Sequence, residues 1–405
     1  MKPVAKIDEL AGAVDAQAAP SRVMLVAGEV SGDEHAAELI SALKQMKPGC
    51  EVFGMAGMHS REAGMETVVD SDEVGGAMGL TEVVSSIGGL VGAFRTLVRE
   101  AKQRQPQLAI LIDFPDFNML LARFLHARGI KVFYFISPQL WAWRKGRVKT
   151  MKRYVRKIAT IFPFEEAFYR EHGVDAAYVG HPFLDRPPTP FDRKAFLEKN
   201  GIDPDRKIVG ILPGSRESEV SRLLDVLVRG FAKLRAEHPE LHAVVPVAPA
   251  LSKNFVEAHL PKVDGLTLIS GQASSVLRAA SVSVVASGTA TVEAALAGNP
   301  YIVVYRLSGF TYMVSRLLVR GVKNFAMVNV IAGREIVPEF LQDDVSEERI
   351  AKELGRLLFD EQAAGTMRTE LQKVREQLRY SGTLAGTASE RAASIAAQLM
   401  DEVGD

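Results

Sequence analysis

Val285-Ala-Ser-Gly-Thr-Ala-Thr-Val-Glu293 is the stretch on which the fold of this chain turns. The β-branched run Val282 to Val285 predicts a buried strand, and Thr291 to Leu296 predicts a helix directly after it. Such a turn leaves the N–H groups of Gly288, Thr289 and Ala290 unpaired, with the positive end of the helix dipole behind them. Together with Ser287 and Thr291 they make a seat sized for a diphosphate. Glu293 falls on the first helical turn, where a carboxylate accepts hydrogen bonds from vicinal sugar hydroxyls. Taken alone, the same nine residues fit an ordinary Ser/Thr-capped helix with an acidic first turn better. The rest of the chain has to decide.

Strand-like runs alternate with amphipathic stretches on both sides of this segment, the pattern of parallel α/β layers. Strands are expected near Val23–Val26, Val52–Phe53, Leu108–Ile112, Val132–Ile136, Ile158–Ile161 and Ala176–Val179. A second series follows at Ile208–Leu212, Ala243–Pro246, Leu266–Ile269, Val282–Val285 and Tyr301–Val304. Between them, His181 to Asp205 is rich in Pro and Asp and reads as a connection with one short helix at Asp192–Lys199. The expected organisation is a tail (1–20), a Rossmann-like domain (21–185), a linker (186–205), a second Rossmann-like domain (206–360) and C-terminal helices (361–405). At 405 residues two domains are favoured, since single cores stop growing near ~250–300 residues. Two such halves place a cleft between their strand ends.

Composition narrows the class. The chain is 47% hydrophobic and 24% charged with a formal net charge of +0, which gives no reason to expect nucleic acid. Cys50 is the single cysteine, so no internal disulfide forms and a reducing compartment is expected. Asp8, Glu9 and Asp15 interrupt the Ala-rich first twenty residues, which read as a disordered tail without a signal peptide. No uncharged apolar run reaches the ~18 residues of a spanning helix, so a cytoplasmic protein is expected.

Four further loops carry chemistry. Gly28-Glu-Val-Ser-Gly-Asp33 follows the first strand; Glu29, Ser31, Gly32 and Asp33 are candidates for substrate contact, with helix capping as the alternative. It lacks the GxGxxG pattern of dinucleotide sites. Asp113 ends an apolar strand between hydrophobic neighbours and should be a carboxyl of raised pKa, suited to act as a general base. Asn118, five residues on, stands at the helix start. Leu212-Pro-Gly-Ser-Arg216 repeats the strand–glycine–helix pattern: Gly214 and Ser215 make the turn, and Arg216 can fork onto phosphate oxygens. Asn329 to Arg334 brackets another glycine turn that could meet sugar or phosphate, or be structural.

Both tryptophans, Trp141 and Trp143, lie in one loop after a strand, where indoles suit sugar rings or lipid head groups. Arg144, Lys145, Arg147, Lys149, Lys152, Arg153, Arg156 and Lys157 follow without an acidic residue among them, a solvated face or an anionic-membrane contact. The apolar, Gly-rich run from Gly75 to Leu97 reads as core or as an acyl-binding surface. No His/Cys pairing or GxSxG pattern appears, and no metal is expected.

Taken in order, these motifs resemble the lipid-A-disaccharide synthase family. The matching segments are VAGEVSGD (Val26 to Asp33), DFPDFN (Asp113 to Asn118), SPQLWAWR (Ser137 to Arg144), FPFEEAFY (Phe162 to Tyr169), VGHPFLD (Val179 to Asp185) and LPGSR (Leu212 to Arg216). ASGTATVE (Ala286 to Glu293), Tyr305-Arg306, FTY (Phe310 to Tyr312) and NVIAGREIVPEFLQ (Asn329 to Gln342) continue the series. Met327-Val328 departs from the Leu-Pro common there, and Val30 stands where Thr or Pro is frequent.

The resemblance implies the GT-B architecture, two Rossmann-like domains facing a cleft, and a metal-independent, cofactor-free inverting transfer. UDP-2,3-diacylglucosamine would be joined to 2,3-diacylglucosamine 1-phosphate (lipid X) at the inner-membrane surface, giving the β-1,6-linked lipid A disaccharide 1-phosphate and UDP. Asp113 would take the acceptor proton, and Arg216 with the Ser287–Thr291 amides would receive the leaving diphosphate. Glu293 would hold the ribose, and Asn329 and Arg334 would border the sugar phosphate. A UDP-GlcNAc 2-epimerase-like enzyme and a non-catalytic sugar-nucleotide or lipid binder share parts of this pattern. The helices from Glu348 to Met400 could return to the first domain or exchange in a homodimer.

Overall fold

A computed structural model describes residues 21–71, 83–141, 145–185, 190–288, 290–306 and 324–402. The first sheet contains β1 (Arg22–Ala27), β2 (Glu51–Ala56), β3 (Glu66–Asp70), β4 (Leu108–Ile112), β5 (Lys131–Phe135), β6 (Lys157–Thr160) and β7 (Ala176–Tyr178). All pairs are parallel, in the order β3-β2-β1-β4-β5-β6-β7. The second sheet contains β8 (Ile208–Leu212), β9 (His242–Val247), β10 (Leu266–Ser270), β11 (Val282–Ala286), β12 (Tyr301–Tyr305) and β13 (Glu339–Leu341). It too is all parallel, ordered β10-β9-β8-β11-β12-β13.

These orders follow from burial. β4, β8 and β11 are Leu/Ile/Val-rich along their full length and buried throughout, the signature of strands covered by helices on both faces. β3 and β13 were not anticipated. Both lie at sheet edges and are only half-buried over most of their length, so neither carries the continuous apolar run that marks a central strand.

Each sheet reverses its winding once, between β1 and β4 and between β8 and β11. At such a point the following loops diverge to opposite faces and leave a crevice at the strand C-termini. The pairings Ala27↔Ile112 and Val285↔Leu212 set the loops beyond them side by side. Gly28–Asp33 thereby meets Asp113, and Pro213–Arg216 meets Ser287–Gly288.

The C-terminal helices divide between the domains. Met367, Leu371 and Val374 of the Glu361–Gln377 helix join the second domain's core. The Ala388–Asp401 helix returns to the first domain, where Ala392, Ala393, Ile395, Ala396 and Leu399 pack with Leu39, Ile40 and Leu43 of the Val30–Met46 helix. Arg391 anchors the return. Its guanidinium donates to the Val179 carbonyl at 2.6 Å and to Asp185 at 3.1 and 3.2 Å, and lies 4.1 Å from the Tyr380 ring centre. Among the described residues no helix is long and apolar enough to cross a membrane.

Candidate active site

Asp113 stands at the tip of β4 with φ +46°, and Phe114 follows at φ +47°. Two successive non-glycine residues in the left-handed region are costly and persist only where surrounding contacts over-determine them. Asn118 Nδ2 donates to the carbonyls of Ile112 (3.2 Å) and Asp113 (2.8 Å), and the Tyr134 hydroxyl donates to the Asp113 carbonyl at 2.5 Å. The Asp113 amide donates to Phe135 O at 3.2 Å. Gly28 completes the brace, since a Cβ there would stand 2.4 Å from the Phe114 ring. The bracing fixes the backbone that carries the half-buried Asp113 carboxyl.

That environment raises the Asp113 pKa to about 6. Burial is the main cause and the Glu29 charge the second; the Phe114 N–H, His35 and Arg216 draw it partly back. Arg216 belongs to the second domain, and its charge is the smallest of these influences on Asp113. Its side chain is 64% exposed and lies 3.8 Å from Glu219.

In the second domain, the Ser287 amide donates to Val304 O (2.9 Å) and the Thr291 amide to Gly288 O (3.1 Å). Those two N–H groups are thus unavailable to a diphosphate, and buried Thr291 serves as a cap, its Oγ1 donating to Gly288 O at 2.7 Å. Among the described residues the amides of Gly288 and Ala290 have no such partner. Gly288 has φ +154°, a conformation L side chains rarely adopt, and a Cβ there would point into open space. Glu293 is half-buried on the first turn of the Ala290–Ala297 helix. At the neighbouring turn the Ser215 and Arg216 amides donate to Glu219 Oε2 (3.0 and 3.3 Å), so Gly214 and Ser215 shape the loop and the Arg216 side chain is what it offers.

Several candidates prove structural. Asp33 is buried, and its carboxylate accepts from the amides of Gly57 (2.9 Å), His59 (2.9 Å) and Ser60 (3.2 Å) and from Ser60 Oγ (2.5 Å). It caps the Met58–Glu62 helix and is only 3% exposed. Gly32 is buried, and a Cβ on it would stand 3.7 Å from Ile112; Asn118 acts as the brace described, whereas Glu29 and Ser31 are exposed at the mouth.

Asn329 is fully buried. Its Nδ2 donates to Val337 O and to Glu339 (both 2.7 Å), and its Oδ1 accepts from the Ile336 and Val337 amides (2.8 and 3.0 Å). The turn before β13 buries backbone groups that need these partners. Arg334 pairs with Glu370. Because β13 runs parallel to β12, residues preceding it lie at the sheet edge opposite the Ser287 turn. Both residues serve the turn before β13, away from the Ser287 turn.

Trp141 is half-buried against the second domain's core. Trp143, Arg144, Thr289, Phe310 to Tyr312 and most of Gly75 to Val83 lie outside the described residues. Glu165 and His35 received no role from the sequence. His35 lies four residues beyond Ser31, on the same helical face, and Glu165 ends the Phe162-Pro-Phe-Glu165 motif; those placements were the available signals.

The comparisons with known proteins complete the picture. The family model described as "LpxB: Lipid-A-disaccharide synthetase" matches residues 23–394. The chain belongs to that family. It is therefore a glycosyltransferase of lipid A biosynthesis. A lipid-A-disaccharide synthase of Geobacter sulfurreducens is 42% identical over 94% of this chain and 97% of its own. One of Myxococcus xanthus is 42% identical over 94% and 98%. Among solved structures, a putative UDP-N-acetylglucosamine 2-epimerase from Listeria monocytogenes has TM-score 0.61 at 14% identity, covering 95% and 98%. The calicheamicin glycosyltransferase CalG4 has TM-score 0.57 at 14% identity, covering 96% and 100%. At such identity the two share the family's two-domain fold with this chain, and the epimerase likeness carries no activity over.

Proposed function

We propose that this chain transfers 2,3-diacylglucosamine from UDP to the 6-hydroxyl of 2,3-diacylglucosamine 1-phosphate, with inversion and without a metal. The observation that carries it is the facing pair: a half-buried, proton-accepting Asp113 and a cationic Arg216 on opposed switch points. Asp113 takes the hydroxyl proton as that oxygen bonds to the anomeric carbon. The bond from that carbon to the UDP oxygen breaks on the opposite face. Arg216 and the Gly288 and Ala290 amides receive the charge that develops on the diphosphate. Glu293 holds the ribose hydroxyls.

An acylated acceptor fits what flanks Asp113. Phe114 lies 5.2 Å from Phe117, and Phe117 lies 5.8 Å from Phe94. This row runs into a groove of about 620 Å³ lined by Leu90, Val91, Phe94, Phe117, Leu120 and Phe124, with Arg95, Arg99 and Lys102 on its wall. Apolar residues beside cations suit acyl chains under anionic head groups, so the chain would work at the inner-membrane surface from the cytoplasmic side. Chromatographic detection of the disaccharide 1-phosphate from the two purified substrates tests the reaction. Formation of free UDP without disaccharide would reject it.

A further inference from the structure

The Pro163–Glu171 helix makes two attachments to the segment that follows β5. The Tyr169 hydroxyl donates to the Pro138 carbonyl at 3.1 Å, and the Trp141 indole N–H donates to Glu165 Oε1 at 3.2 Å. The other Glu165 oxygen accepts the Phe162 amide at 3.4 Å. Glu165 is only 1% exposed, although nothing in the transfer chemistry above uses it. The indole it holds stands edge-on to Phe164 (5.0 Å, 89°), and Phe164 stacks on Phe162 (5.8 Å, 18°). Phe162 sits in the second domain's core and touches His181 (5.2 Å). Trp141 thus stands where the two domains meet, beyond the C-terminal end of β5.

Resting on the proposed function, we infer that Glu165 is a positioning residue for the acceptor side of the reaction: it clamps the Trp141 indole as a fixed wall of the cleft. A buried carboxyl can hold an indole N–H in either protonation state, but a lone buried charge is costly. Burial raises the Glu165 pKa to about 8, more than the Trp141 and Phe162 N–H groups pull it back. The ionisable groups facing it are the phenols of Tyr169, on its own helix, and Tyr178, on β7, both pushed up by burial. The clamp is consequently a neutral acid at pH 7. Above pH about 8 it becomes a buried anion, and its surroundings must open to admit water.

The full chain carrying Trp143→Phe leaves Trp141 as the single indole, and its emission reports the clamp. An alkaline titration should shift that emission near pH 8, and Glu165→Gln, which keeps a carbonyl acceptor, should abolish the shift. With Trp143 restored, Glu165→Gln should retain turnover. Glu165→Leu should raise KM for lipid X about tenfold, the cost of one lost anchor of ~1.4 kcal/mol, with KM for the UDP-sugar unchanged. An emission that titrates identically in wild type and Glu165→Gln would overturn the clamp, as would equal losses of turnover in the Gln and Leu variants. If wild-type enzyme makes no disaccharide phosphate, the reaction is wrong, and the emission titration still decides the clamp by itself.

Discussion

The two switch points solve opposite problems with opposite backbones. At the tip of β4 the chain holds two non-glycine residues at positive φ, braced by Asn118, Tyr134 and a ring packed on Gly28. At the tip of β11 it uses Gly288, with open space above it and, among the described residues, no backbone partner for the Gly288 and Ala290 amides. A proton acceptor near neutrality needs desolvation, which demands a rigid, crowded surround. An anion seat needs backbone nitrogens within reach of the ligand, which demands the absence of side chains. The difference shows why one site is built from packing and the other from its removal.

Variants can break this contrast. The largest effect is expected from Asp113→Asn, which should cost ~10²–10⁴ in turnover while UDP affinity, measured by calorimetry, stays near wild type. Near-normal turnover would remove Asp113 from proton transfer. Arg216→Ala should cost ~10²–10³ and also weaken UDP binding; a loss confined to the acceptor KM would put it on the wrong side of the cleft.

Two glycine substitutions sharpen the comparison. Gly28→Ala forces the Phe114 ring to move and should destabilise by about 1–3 kcal/mol in denaturant titration. Gly288→Ala places a side chain on a φ +154° backbone, so it costs stability through strain and should also raise the KM for the UDP-sugar. An unchanged KM would remove Gly288 from the diphosphate seat.

The smallest effect concerns pH. An Asp113 pKa near 6 gives kcat/KM an acid limb near pH 6, with activity rising as the carboxyl ionises. Because the folded value lies above that of an exposed Asp, ionising Asp113 also costs stability as pH rises from about 4 to 6. Glu29→Gln removes a neighbouring negative charge and should move the limb to lower pH. A limb that stays in place would assign it to another group. At the flanking groove, replacing Arg95, Arg99 and Lys102 by Glu should abolish salt-sensitive binding to anionic vesicles without altering the fold by circular dichroism.

How far the sequence reached differs between these regions. The places of Asp113 and Arg216 were legible because each lies just beyond a strongly apolar strand, beside a glycine or proline turn. Asp33, Asn329 and Arg334 sit in similar-looking motifs, yet they cap a helix, tie a turn and pair with Glu370. Their types suit both hydrogen-bonding a ligand and satisfying buried backbone, and pattern alone does not separate the two. The edge strands β3 and β13 escaped for a related reason, since half-buried segments lack a continuous apolar run.

By itself the sequence determined the alternation of strands and helices, the two-domain division and the identity of the loops at the strand tips, because burial dictates apolar periodicity residue by residue. Only the tertiary structure decided which tips lie together, which sheet edge holds Arg334, and that the Ala388–Asp401 helix packs on the first domain. Strand order, strand direction and helix docking are relations between distant segments, and local periodicity is the same whichever neighbour a strand or helix finally meets.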